Sequence, residues 1–189
     1  MAQKISKGRA TSKAVRFTEH FNQVELFRPN KDGRILIDDP GMITILIRNL
    51  MVVSLFLELL RNHVSQVMLA ETPFTITSGY RDFMTNRRVG GHPRSLHMVG
   101  LAADFICGVK PCEFEIAFTD TLNLYSEMFK VMGITNISYY TINPESGAYH
   151  VQLKSCDPSA TGFLSFLDEH EDEYLKMIEE YEQTNNSNN

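Results

Sequence analysis

Apolar and polar residues recur with more than one period along this chain, and the changes of period mark its elements. Residues 41–60, "GMITILIRNLMVVSLFLELL", are apolar with breaks at Arg48, Asn49 and Glu58. A membrane-spanning helix needs about twenty residues with almost no charge, so this segment reads as a buried core helix. Just before it, "DDPGM" offers Asp39 as a cap and Pro40 for the first turn, and the helix is expected to run to about Val67. Pro73 then breaks the helix, and Phe74 to Thr77 predict a short strand. "DFMTNRRVGGHPR" reads as a loop, with Gly90, Gly91 and Pro93 as turn residues. "LAADFICGV" predicts a buried strand. Residues 110–133 carry a helical period, with Pro111 near the start and Gly133 as the C-terminal cap. "ITNISYYTI" and "GAYHVQLK" follow as two strands joined by a turn at "NPESG". From Gly162 to Tyr181 the chain predicts an acidic helix, and the final "QTNNSNN" has a disordered composition. Upstream, Phe17, Phe21, Val24 and Phe27 lie three to four apart, which suits a short helix or turn packed on the domain.

Helices before and between short strands with hairpin-length loops define an α+β domain: helices on a small, mostly antiparallel sheet. At 189 residues the chain has room for one such core. The expected organisation is a basic, partly ordered leader at 1–33, the main domain at 34–160, the acidic helix at 161–182 and a disordered tail at 183–189.

Charge changes this picture little. The net charge of −5 argues against a broad nucleic-acid footprint. It is unevenly spread: Lys4, Lys7, Arg9, Lys13 and Arg16 precede the first acid, Glu19, and the stretch from Asp168 to Glu182 is acidic. The plain reading is a flexible basic leader and a solvated acidic helix. The first twenty residues hold no apolar core, so no secretory signal is expected and synthesis is assigned to the cytoplasm. Three cysteines, Cys107, Cys112 and Cys156, form neither a disulfide framework nor a CxxC zinc pattern, and are read as reduced thiols.

The candidate chemistry begins at "SLHMVGLAAD", residues 95–104, where His97 and Asp104 lie seven positions apart. That is not a helical-face spacing. It fits a loop that turns at Gly100 and enters a strand, so that the two side chains converge from different backbone directions. A zinc hydrolase takes three protein ligands and keeps one position open. The third candidate is His150, which shares one strand face with Gln152, while Tyr149, Val151 and Leu153 share the other. On spacing alone, a capping histidine near a turn and a strand-end aspartate are the plainer reading.

The segment "ITSGYRDFMTNRRVGGHPRSLHMVGLAADF", residues 76–105, closely resembles the zinc D-alanyl-D-alanine carboxypeptidase and L-alanyl-D-glutamate peptidase family. The resemblance rests on Ser78 to Arg81, Asn86 with Val89 to Gly91, Ser95 to Asp104, and the later strand residue His150, and it spans about residues 42–155. It implies one zinc ion per chain, held by His97, Asp104 and His150. It implies that Arg81 stabilises a developing oxyanion or holds a substrate carboxylate. Ser95 then either hydrogen-bonds substrate or a ligand, or only fixes the turn. Asn86, Gly90 and Gly91 shape the loop, and His92 lines the cleft or is solvated. Many relatives carry an acidic general base three residues before the last His, but here that position is Gly147. The nearest acid is Glu145, a candidate base on a flexible turn. An Asp two residues after that His is replaced by Gln152, which can orient a ligand or bind a substrate amide but cannot take a proton.

The implied activity is hydrolysis of peptidoglycan stem peptides or D-Ala-containing dipeptides, as carboxypeptidase or endopeptidase. It would act in the cytoplasm or, in a phage lysis or entry enzyme, at the host cell wall. The rival expectation is a zinc-bearing module that binds peptidoglycan or a protein and has lost efficient hydrolysis. No nucleic acid and no membrane span are expected, and the oligomeric state is open.

Overall fold

A computed structural model describes residues 15–27 and 40–162, and beyond them individual positions as far as Gln183. Four helices, α1 (Gln23–Leu26), α2 (Pro40–Met68), α3 (Phe83–Arg88) and α4 (Pro111–Val131), accompany four strands: β1 (Thr75–Ser78), β2 (Ala102–Ile106), β3 (Ile134–Asn143) and β4 (Ala148–Ser155). The strands form one sheet in the order β1-β2-β4-β3, and every neighbouring pair is antiparallel. The expected α+β architecture is therefore observed.

One face of the sheet carries an aromatic cluster, with Tyr139 of β3, Tyr149 of β4 and Phe105 of β2 on the same side. Tyr149 stacks on Phe114 of α4 at 3.7 Å, and Tyr139 meets Phe114 at 5.0 Å and Phe118 at 4.5 Å. Phe118 and Phe129 in turn pack edge-on against Phe56 of α2. The layers are thus sheet, α4, α2. Each such ring pair contributes about 0.5–1.5 kcal/mol beyond its buried area.

Helix α2 is long and apolar enough to cross a membrane by length and composition, and half of its most apolar window is buried inside the molecule. Leu46, Leu50, Val53, Leu57, Leu60 and Val64 recur at helical spacing and face the core. Its polar interruptions are attachment points. Asn49, buried, donates from Nδ2 to the carbonyls of Val99 (2.8 Å) and Ala160 (3.2 Å). Arg48 pairs with Asp157 at 2.9 Å. Glu58 accepts from the Thr18 hydroxyl (2.8 Å), the His20 backbone N–H (3.0 Å) and the His20 ring (2.6 Å), so it clasps the leader.

Burial alone would raise the Glu58 pKa, but the hydrogen bonds from His20 and Thr18 outweigh it and hold the carboxyl below its ordinary value. A depressed carboxylate contributes stability that is present above its unfolded pKa and lost as pH falls through the folded one. Glu58→Gln is expected to cost about 1–2 kcal/mol at neutral pH. It should also flatten the acid limb of a stability-versus-pH curve below about pH 4.5, measured by urea denaturation.

Several local expectations are corrected. Val24 is exposed, and Leu26 takes the core position instead, because the four-residue helix α1 starts only at Gln23. The stretch read as a loop contains α3, nucleated by Asp82, whose side chain accepts from Thr85 N at 2.8 Å. Six residues are too few to show a helical period. The terminal helix already runs through 158–162, and Ala160 and Leu164 belong to the core; its described positions, Gln183 included, are helical. Asp39 and residues 184–189 lie outside the described residues. All three cysteines are free thiols.

Candidate metal centre

The His97-to-Asp104 spacing resolves into two pieces of backbone. Leu96–Val99 form one 3₁₀ turn, closed by Gly100 in the left-handed region (φ 71°), where a Cβ would sit 2.7 Å from the Leu46 side chain. The chain then enters β2, with the small, fully buried Ala102 and Ala103 leading to Asp104. On the sheet, Ser78, Asp104, His150 and Tyr140 are successive cross-strand partners of β1, β2, β4 and β3. They occupy one row on the face opposite the aromatic layer, because side chains alternate along each strand.

His97, Asp104 and His150 are buried, and their donor atoms all lie within 4.8 Å of one another. Asp104 Oδ1 is 3.2 Å from His97 Nε2 and 2.7 Å from His150 Nδ1. Tetrahedral zinc, with ligand bonds of about 2.0–2.2 Å, spaces its donors by roughly 3.3 Å, so the cluster fits the ion. Outer contacts set the tautomers. His97 Nδ1 donates to the Gly79 carbonyl at 2.7 Å, which leaves the Nε2 lone pair facing Asp104. His150 Nε2 faces Gln152 Oε1 at 3.4 Å, while Gln152 Nε2 donates to Ser138 Oγ at 3.2 Å, so the amide orients the ring with Nδ1 inward. Tyr140 stacks on the same imidazole at 4.5 Å. Replacing Gln152 by Ala is expected to weaken zinc binding about 10- to 100-fold, read by competition with a chromogenic chelator.

Electrostatics match a metal centre. Burial lowers the His97 pKa further than its contacts with Asp104 raise it, so the ring stays neutral, as a ligand must be. For Asp104, burial opposes ionisation, yet the hydrogen bonds with His150 and His97 and the Arg81 charge prevail and hold the carboxyl well below the usual range. Burial and the Asp104 charge raise the Tyr140 pKa, so its phenol keeps its proton at neutral pH.

Arg81 binds Asp104 Oδ2 through Nη2 and Ser78 Oγ through Nε (2.7 Å). Among the described residues no hydrogen bond or ion pair engages its Nη1. The cluster heads a cavity of about 900 Å³, lined also by Ser95, His92, Gln152, Lys154 and, from the terminal helix, Thr161 and Leu164. Ser95 precedes the 3₁₀ turn without a side-chain capping bond. The exposed His92 accepts the Arg94 N–H at Nδ1 (3.0 Å). Asn86 and Gly91 shape the loop: Asn86 Nδ2 donates to the His92 carbonyl at 2.9 Å, and Gly91 N to the Asn86 carbonyl at 2.8 Å.

The structure does not bring Glu145 into this cavity. It is exposed in the β3–β4 turn, its N–H bonded to Asn143 Oδ1 at 2.9 Å, whereas the β4 residues of the lining run the other way, from His150 to Ser155. Gly147, at the position of the usual acid, has φ 59°, and a Cβ there would lie 2.5 Å from Val109 N and 2.7 Å from its carbonyl oxygen. Sequence reasoning missed Tyr140, Ser138 and Lys154. Their only signal was the strand period that had already paired His150 with Gln152.

An antiparallel sheet bearing a buried His–Asp–His cluster, with an arginine on its carboxylate and an open cleft in front, defines a metallopeptidase-type site. A family model described as Peptidase M15 matches residues 19–122, and the chain belongs to that family. The matched span contains His97 and Asp104 and ends before His150, which the sheet itself brings in. Peptidases of this family are zinc-dependent, in agreement with the donor set. No curated protein and no solved structure matches the chain.

Proposed function

We propose that this protein is a zinc peptidase that cuts peptidoglycan stem peptides next to a D-amino acid. The observation that carries the reading is Arg81, seated on the ligand carboxylate at the head of an open polar cavity. Zinc, when bound by His97, Asp104 and His150, supplies a Lewis acid that polarises a carbonyl and acidifies water. Arg81 then offers Nη1 to the oxygen that becomes negative, and its hold on Asp104 and Ser78 fixes the guanidinium in advance of the reaction. Ser95 and Gln152 line the floor, where a hydroxyl and an amide can orient the peptide. Glu145, swinging in from its turn, or another acid accepts the proton in this reading. A phage lysis or entry enzyme at the host cell wall and a cytoplasmic peptidase are both settings for it.

A specific observation supports a second reading. Among the described residues the cavity lining holds no carboxylate, and Gly147 leaves no room for one. A zinc-bearing binding module with little hydrolysis has the same architecture. Incubating zinc-loaded protein with purified muropeptides separates the two. Released D-Ala or cut stems establish the peptidase, and intact muropeptides establish the module. Unchanged cleavage by Glu145→Ala would remove that residue from the chemistry.

A further inference from the structure

The cavity extends past the metal centre along β4 as far as Lys154 and Ser155. On β4 the face that carries His150 continues through Gln152 to Lys154, and all three line the cavity. No Asp or Glu stands among the described lining residues, and Lys154 forms no ion pair with any described residue. A lysine in that position raises the local concentration of anionic groups and disfavours cationic ones. Position adds a length requirement. Four residues of strand put the Lys154 Cα about 13 Å from that of His150. An extended peptide covers about 3.3–3.6 Å per residue, and the flexible lysine stem recovers part of the gap.

We infer that Lys154 is the specificity-determining residue of a distal subsite that holds a carboxylate about two to four residues from the cleaved bond. The substrate is then an acidic peptide of several residues rather than a dipeptide, whose carboxylate lies next to the scissile bond and within reach of Arg81. A volume of about 900 Å³ accommodates such a peptide, since drug-sized ligands fill about 300–1,000 Å³. This inference rests on the peptidase reading for its scissile bond, but its test reads binding alone.

The probe is a fluorescein-labelled stem tetrapeptide with its carboxylates free, compared with the same peptide amidated at every carboxylate except the C-terminal one, titrated by anisotropy into the zinc-loaded full chain. The free acid should bind about fivefold tighter than the amide, the scale of one part-exposed ion pair. Lys154→Ala should remove that preference without changing affinity for the amide, Lys154→Arg should retain it, and Lys154→Glu should invert it. High salt should erase it in the parent protein. Equal affinities in the parent protein, or a preference that survives in Lys154→Ala, would overturn the subsite and leave the peptidase reading standing. A lysine-dependent preference without hydrolysis of any peptide would overturn the peptidase reading and leave the subsite.

Discussion

Asp104→Asn is expected to abolish stoichiometric zinc and to lower hydrolysis of any peptide the parent protein cuts by about a thousandfold or more, equivalent to about 4 kcal/mol. The substitution keeps the shape of the side chain and removes its charge. That charge serves three neighbours at once: His97 Nε2, His150 Nδ1 and Arg81. Without it the centre consists of two imidazoles beside an uncompensated guanidinium, which repels a divalent cation. Leaving one buried charge without its partner costs several kcal/mol in its own right, about 3–5 by comparison with broken buried pairs. Zinc content by atomic emission, with circular dichroism to confirm the fold, checks the result, and His97→Ala should behave alike. Retention of one zinc per chain in either variant would remove that residue from the ligand set.

Gly147→Glu, which restores an acid where many relatives carry one, should destabilise the protein by about 3 kcal/mol or more without raising activity. Two costs add. A side chain at φ 59° is strained, and its Cβ would press on the Val109 backbone, which cannot swing aside as a flexible side-chain end can. The Gly147 carbonyl also accepts the Cys107 N–H at 3.0 Å, which ties the turn to the strand end it would have to leave. Chemical denaturation gives the loss directly. An active variant of parental stability would mean that the 108–109 loop yields, and that the missing base is a matter of residue choice rather than backbone.

The difference between these two sites also describes what was legible before the fold was known. His97, Asp104 and His150 were readable as a set only through the resemblance of residues 76–105 to a zinc peptidase family; the turn glycine, the small-residue strand and the period-two strand left their positions legible but not their role. Asn49, Arg48 and Glu58 were legible only as interruptions of an apolar run; that they anchor the leader, the Val99 turn and the 157–160 segment depends on contacts 38 to 111 residues away. Helix α3 was hidden by its length. Gly147 looked like a substitution, and only its backbone angle and the proximity of Val109 turn it into a constraint. Glu145 was placed by distance along the chain, but the hairpin turns it away from the cleft.

The row Ser78, Asp104, His150, Tyr140 has a consequence for how the sheet is assembled. A slip of one residue in any pairing sends a whole strand's side chains to the opposite face. The β2–β4 alignment that sets Asp104 against His150 also sets Phe105 against Tyr149 behind it. A slipped strand would bury imidazole among aromatic rings and break the ligand set in the same event. Zinc therefore binds only the correctly aligned sheet, and by mass action it selects that alignment during folding.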